Sequence, residues 1–419
     1  MERGKPVTVA LIGAGHRGLI YSEYALRHPN ELRVVAVAEP NEERRNRFRD
    51  KFGLAEERCF ENWDALLGQP RLADAVMICT QDRQHFEPTM KALKAGYHVL
   101  LEKPMSPDPE QCLEMGRQAE EAGRLLTICH VLRYSPFFQT IKQLLDEGRI
   151  GRLMSIQHNE NVAYWHQAHS FVRGNWRNTA QSSPMILAKS CHDLDLLHWL
   201  AGSECLSVAS YGSLSHFRPE FAPPGAPKRC LDGCPVEDRC VYYAPNIYLH
   251  ADYGWLQAVS SPDPSYEARY RALLDGPYGR CVYHCDNDVV DHQVVSMEFA
   301  NEVTAVFTMT AFTEQCSRTL KLMGTSGEIR ASMETNEIEL RRFGSGRREL
   351  IALTDSGGLD GHGGGDHRLV RDFVRAVSRY GEYESATSAQ ASVHSHLMAF
   401  AAERSRLEKR MVSLSEYMH

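Results

Sequence analysis

At 419 residues the chain is long enough for two domains and a large core, and 43% hydrophobic with 24% charged residues is ordinary globular composition. A net charge of −7 argues against a nucleic-acid surface, which needs a basic patch, and no apolar run approaches the roughly 18 residues of a membrane helix. A strand beginning within a few residues of Met1 leaves no room for a signal peptide, so the expected location is the cytoplasm, where cysteines stay reduced.

Val7 to Ile12 reads as a strand, followed by Gly13-Ala14-Gly15-His16-Arg17-Gly18, a helical run, and a second strand from Leu32 closed by Glu39. In such a unit the first glycine permits a tight turn, the second lets the backbone approach a pyrophosphate, and the third lets helix and strand pack closely. The helix start offers unpaired N–H groups and a positive dipole end to phosphates. An acid at Glu39 accepts hydrogen bonds from two ribose hydroxyls and repels a 2′-phosphate, which favours NAD over NADP. A lone GxGxxG is weak evidence, whereas one between two strands with an acid about 20 residues on is strong.

Asn41 to Phe52 reads as a helix with an Asn cap, Asp74 to Thr80 as a buried strand, Phe86 to Lys94 as a helix stopped by Gly96, and Tyr97 to Leu101 as a strand. Pro107 to Ala122 and Leu125 to Cys129 add a helix and a strand. This alternation gives a doubly wound parallel sheet whose ligand lies outside the strand carboxyl ends. Gly13 to Gly18, Glu39, Thr80 to His85 and Glu102-Lys103-Pro104 should therefore face one crevice. From Asp288 onward, short strands with few helices between them (Gln293–Phe299, Thr304–Thr310, Thr319–Met323, Glu328–Ala331, Glu337–Arg342, Glu349–Leu353) predict a mostly antiparallel sheet. The expected α/β architecture is a Rossmann domain over residues 1–130 and an α/β domain over residues 131–419. The second carries a Cys-rich insertion at about 217–285 and ends in helices over Arg368–Tyr380 and Ala389–Leu407.

Pro104 biases Lys103 towards an extended conformation and so aims its ammonium into the crevice; the alternative is a surface lysine. Residues 159–177 are dense in polar and aromatic groups, among them Tyr164, His166, Arg173, Trp176 and Arg177, as a sugar site requires, although any one of them alone is more often structural. Cys230, Cys234, Cys240 and Cys281 could hold a structural zinc; free thiols and, less readily in a reducing compartment, disulfides stay open as readings.

The Gly13–Gly18 turn, Thr80 with His85, and above all Glu102-Lys103-Pro104 resemble the Gfo/Idh/MocA oxidoreductases. The similarity continues through Arg133-Tyr134-Ser135-Pro136, Gly174-Asn175-Trp176-Arg177, Lys189-Ser190-Cys191-His192-Asp193-Leu194-Asp195 and Gly361-His362-Gly363-Gly364-Gly365-Asp366, in order across nearly the whole chain. The resemblance implies a nicotinamide cofactor, an open-sheet second domain, sugar or cyclitol substrates, and a homo-oligomer, either dimer or tetramer. It gives Lys103 and His192 the reacting hydroxyl. Many members carry an aspartate four residues before that histidine; Ala188 stands there in this chain, with Lys189 beside it read as an active-site replacement or else as a solvated lysine at a helix start.

Oxidising a secondary alcohol needs a base with a pKa near the operating pH, and burial or a second cation brings a lysine down towards it. His192 or Lys103 is the base and the other cations polarise the oxygen; the residues leave that choice open. The resulting sets are catalytic Lys103, His192 and Lys189; cofactor-binding Gly13, Gly15, His16, Arg17, Gly18, Glu39, Thr80, Gln81, His85, Glu102, Lys103 and Trp176; and substrate-binding His130, Arg133, Tyr164, His166, Arg173, Arg177, Asp195, His362 and Asp366. Asp195 reads equally as a structural acid, and Asp366 as a helix N-cap. The expected activity is NAD-dependent oxidation of a ring hydroxyl of a sugar or glycoside, at C3 if the ketone is to labilise the C1 substituent. The alternatives are an NAD-dependent glycoside hydrolase and a non-catalytic NAD or sugar sensor, with neither nucleic acid nor membrane as partner.

Overall fold

The computed structural model describes residues 5–250, 255–261, 263–353 and 362–417. Gly361, the first residue of the glycine-rich stretch before Asp366, lies outside them, as do residues 251–254 and 262 of the insertion.

Strands β1 (Val7–Ile12), β2 (Leu32–Ala38), β3 (Cys59–Phe60), β4 (Ala75–Ile78), β5 (His98–Leu101) and β6 (Leu126–Ile128) form a sheet in the order β3-β2-β1-β4-β5-β6. Every neighbouring pair is parallel. The order reverses beside β1, and the crevice opens there, at the carboxyl ends. Helix α1 (His16–Arg27) starts at the glycine turn with Gly15 as its N-cap and no side chain capping it, so its first N–H groups remain on offer. A Cβ on Gly18 would lie 2.2 Å from the Gly13 carbonyl oxygen, so only glycine lets α1 sit this close to the turn. A Cβ on Gly15 would meet nothing within 4 Å, leaving open space where a pyrophosphate would approach.

The second sheet contains β7 (Leu153–Asn161), β8 (Cys205–Ser213), β9 (His292–Phe299), β10 (Thr304–Thr310), β11 (Ser317–Gly324), β12 (Gly327–Ser332), β13 (Glu337–Arg342), β14 (Arg348–Ile351) and β15 (Val412–Ser413), in the order β14-β13-β12-β11-β7-β10-β9-β8-β15. Pairing is antiparallel except between β7 and β10. Along β9 the side chains alternate, with Val295, Met297 and Phe299 buried and Val294 exposed, so one face is covered and the other open. The covered face packs on α2 (Cys191–Ala201) and α4 (Ala389–Glu408), while α3 (Gly365–Ser378) packs against α1.

Strands β7 and β8 were not among the expected elements. β7 runs through the middle of the sheet, yet its inward positions include His158 and Glu160, so it lacks an apolar stripe. The Cys-rich insertion builds two small satellite cores, one around Phe217, Tyr242 and Val282 and one around Ile247, Tyr248 and Leu273.

Candidate active site

Four strand ends frame the cofactor crevice. Glu39, buried after β2, accepts hydrogen bonds from the Ala14 N–H (2.8 Å) and the Asn41 N–H (3.0 Å), which fixes its carboxylate against the glycine turn. The His85 ring nitrogens face the carbonyls of Pro104 (2.7 Å) and Thr80 (3.1 Å), tying the end of β4 to the turn after β5. The Thr80 hydroxyl donates to the Gln84 carbonyl, and Gln81 and His16 are exposed at the rim.

Glu102 accepts from Arg17 (2.9 Å), the Tyr21 hydroxyl (2.8 Å) and the Lys103 backbone N–H (2.6 Å). Arg17 also donates to both carboxylate oxygens of Asp366 (2.5 and 3.2 Å). Arg17 and Asp366, expected on cofactor and on substrate respectively, thus pair with each other and lock α1 to α3. Asp366 lies in the first turn of α3, whose N-cap is Gly364.

Lys103 Nζ donates to the Ala188 carbonyl (2.8 Å), four residues before His192. Burial holds the His192 imidazole well below its ordinary pKa, with further lowering from Lys103, His362, His130 and Arg318, so the ring is neutral at neutral pH. Burial likewise lowers His166, with Lys189, His169 and Lys103 adding to it. The His192 ring lies 5.8 Å from His362 and 5.8 Å from His130. Lys103, Lys189, His130, His166, His192 and His362 therefore share one neighbourhood, drawn from both halves of the chain.

Beneath it lies an ionic network with no forewarning in the sequence. Lys189 pairs with Glu160 (3.2 Å), Glu160 with Arg318 (2.5 Å), and Arg318 with Asp193 (2.7 Å), which also bonds His158 (2.6 Å). Arg318 and His158 hold the Asp193 carboxyl well below the usual carboxylate range against a strong burial penalty. A charge this deep persists only when paired, and the network clamps the start of α2 onto β7 and β11.

Other expected site residues are committed elsewhere. Arg133 and Asp195 form a buried bidentate pair (2.6 Å for each bond). Arg173, fully buried, donates to the carbonyls of Arg280 and Tyr242 (2.7 Å each) and so ties the insertion to the π-helical turn Gln167–Arg173. Arg177 pairs with Asp286 (2.8 Å), and Trp176 Nε1 donates to Asp82 (3.2 Å). The Tyr164 ring meets Tyr242 edge-on at 6.1 Å.

The structural zinc expected at Cys230, Cys234, Cys240 and Cys281 is not supported: among the described residues no group of three or more His, Cys, Asp or Glu could hold a metal ion. All twelve cysteines are free thiols. These four line a small cavity with Tyr242, Tyr243 and Tyr283. Burial pushes the Cys281 thiol up to about 11 and raises Cys240 as well, so both remain protonated apolar groups.

The chain matches the Gfo/Idh/MocA oxidoreductase family's NAD-binding Rossmann fold over residues 7–130 and its C-terminal alpha/beta domain over residues 142–414. It is 26% identical to YteT of Bacillus subtilis over 369 residues, 82% of each chain. It is 31% identical to D-glucoside 3-dehydrogenase of Escherichia coli over 149 residues, 35% of this chain and 41% of that one. It is 28% identical to 2,7-anhydro-N-acetylneuraminate hydratase of Escherichia coli over 219 residues, 51% of this chain and 55% of that one. The WlbA dehydrogenase of Bordetella pertussis, solved with NADH and UDP-GlcNAcA, shares the fold at a TM-score of 0.69, with 16% identity and 98% of each chain covered. No described helix is long and apolar enough to cross a membrane. Two family models that together span both sheets leave one conclusion: the chain belongs to the Gfo/Idh/MocA oxidoreductase family.

Proposed function

We propose that this protein oxidises a secondary ring hydroxyl of a sugar or glycoside with NAD. The observation that carries the reading is the neutral His192 imidazole beside Lys103, which reaches the Ala188 carbonyl one turn before it, with Lys189 near His362. The crevice fits the cofactor through the open space at Gly15, the uncapped start of α1 and the fixed carboxylate of Glu39. Bound NAD supplies the hydride acceptor. His192 takes the hydroxyl proton, a role open to it because it is uncharged, and the ammonium groups of Lys103 and Lys189 stabilise the alkoxide as it develops. The match to D-glucoside 3-dehydrogenase supports a carbohydrate substrate, and with it a glycoside oxidised at C3. Residues 1–130 then bind cofactor, while residues 131–419 carry substrate and self-association. Exposed Tyr211 and Val294 on the open sheet face support a dimer or tetramer, and twelve free thiols support a cytoplasmic location.

The test is incubation of the purified protein with NAD and a panel of free sugars and p-nitrophenyl glycosides, following NADH absorbance and phenolate release together. Accumulating NADH supports the dehydrogenase; NAD-dependent aglycone release without net NADH supports a redox glycosidase instead. The match to a hydratase keeps that second reading in play, since oxidation followed by return of the hydride leaves no net redox change. No turnover on any sugar overturns both.

Glu39 should set cofactor choice. A carboxylate about 5 Å from a doubly charged 2′-phosphate costs roughly 2 kcal/mol even in water. Glu39→Ser is therefore expected to narrow the preference for NAD over NADP by about tenfold or more, read from the two dissociation constants. An unchanged ratio would remove Glu39 from that role.

A further inference from the structure

His130 is buried, and neither of its ring nitrogens has a hydrogen-bond partner among the described residues. The side chains around it are already committed. His396 receives the Met105 N–H at Nε2 (2.9 Å) and donates from Nδ1 to the Ser392 carbonyl (2.7 Å). Arg133 spends Nε and one terminal nitrogen on Asp195 and the other on the Ala386 carbonyl. Lys103 and Glu102, whose charges also reach the ring, are engaged with the Ala188 carbonyl and with Arg17 and Tyr21, and two further polar groups lie beside it. Asp195 Oδ1 lies 3.8 Å from His130 Nε2. On the other side the His192 ring stands edge-on at 5.8 Å, and its Nδ1 is also buried without a partner. Among the described residues His192 Nε2 makes no hydrogen bond, and it is not one of these buried orphans, so it is the nitrogen that reaches the cleft.

Unpaired nitrogens this deep call for a polar group that both can reach, and a buried water making about three hydrogen bonds is the usual one. We propose that His130 is a positioning residue: one buried water links it to His192 Nδ1, holding that imidazole with its proton on Nδ1 and Nε2 bare towards the substrate. Along the chain, His192 Nδ1–H donates to the water, the water donates to His130 Nδ1, and His130 Nε2–H faces the Asp195 carboxylate. No proton leaves Asp195 or reaches it, because Arg133 keeps that acid paired. Burial is the largest cause lowering the His130 pKa, with Arg133 and Lys103 adding to it against Glu102, so the ring stays neutral as this chain of hydrogen bonds requires. Ala188, one turn before His192, has no side chain that could do this from the other side.

The proposal rests on His192 as the base, and its test does not need turnover. With nitrogen-15 histidine in the NAD-bound protein, assigned through His192→Gln, His192 should carry its proton on Nδ1, protected from exchange. In His130→Phe the protection should be lost and the proton should shift towards Nε2, whereas His130→Asn, whose amide both donates and accepts, should restore it. A wild-type His192 protonated on Nε2 overturns the proposal whatever the variants do, as does a His130→Phe spectrum identical to wild type. Once a substrate is in hand, His130→Phe should lower kcat by about 10- to 100-fold with the KM for NAD unchanged, the scale of an outer-layer hydrogen bond. The expected tautomer in a protein that turns over no sugar would leave the positioning chain standing and sink the functional reading alone.

Discussion

Lys103→Met is expected to lower NAD-dependent oxidation by on the order of 10³-fold while leaving NAD affinity within about threefold, because it deletes the cation that acts most strongly on His192 without touching the phosphate or ribose contacts. The lysine is well placed for so large an effect. Its backbone N–H is held by Glu102, which Arg17 and Tyr21 hold in turn, so the side chain leaves a rigid turn and reaches the Ala188 carbonyl ahead of α2. Position and charge are therefore set before substrate arrives, the condition under which electrostatic stabilisation is worth most. Lys103→Arg should recover little, since a planar fork cannot replace a point charge at 2.8 Å from that carbonyl. His192→Ala should be as severe, and the double variant little worse than either single one, because residues acting on one proton are not additive. Stopped-flow NADH formation and a separate NAD titration divide the two effects; a Lys103→Met protein that forms NADH at the wild-type rate would show the proton to be handled elsewhere.

The cofactor half of the molecule was readable in the sequence because its signals are local. Apolar runs, glycines at fixed offsets and an acid at a strand end each depend on near neighbours, and Phe86–Lys94 and Asn41-capped Glu42–Phe52 form the helices their patterns predict. Strand β7 was opaque for the opposite reason. Its inward residues His158 and Glu160 look solvent-facing until Asp193, Lys189 and Arg318, brought from distant positions, neutralise them. The same long-range pairing explains why Arg133, Asp195 and Arg17 read as ligand-binding groups: a charged residue in a motif announces that a partner exists, but not whether the partner is substrate or another side chain. The cysteines misled similarly, since four thiols near one another suit a metal only if they converge, and here they line a cavity with tyrosines instead.

Acid should destabilise the fold well before its carboxylates titrate. His98, His169 and His396 are buried, and burial is the largest cause holding them down, to about 4, about 3 and about 3. Arg124 and Arg71 add to the effect at His98, Arg173 at His169, and His130 at His396. Two of them accept a backbone hydrogen bond in the fold, His98 from Leu125 and His396 from Met105, and a proton would turn that acceptor into a donor facing a donor. In the unfolded chain each titrates near 6.5. Because the folded values lie below the unfolded one, the unfolded state binds more protons under acid conditions. The stabilisation is complete above about pH 6.5 and is lost as pH falls from there towards the folded values. At about pH 5.5 each contributes a loss of roughly 1.4 kcal/mol, so the three together remove roughly 4 kcal/mol, a large share of an ordinary domain's stability. The paired carboxylates of Asp193, Asp286 and Asp366, held below their usual range, add their own losses only at lower pH. Urea unfolding at about pH 7.5 and 5.5 measures the difference directly. His396→Gln, whose side-chain oxygen still accepts from Met105, should recover roughly 1.4 kcal/mol of it. Equal unfolding free energies at the two pH values would mean that these histidines take up protons in the folded state and that their burial does not keep them neutral.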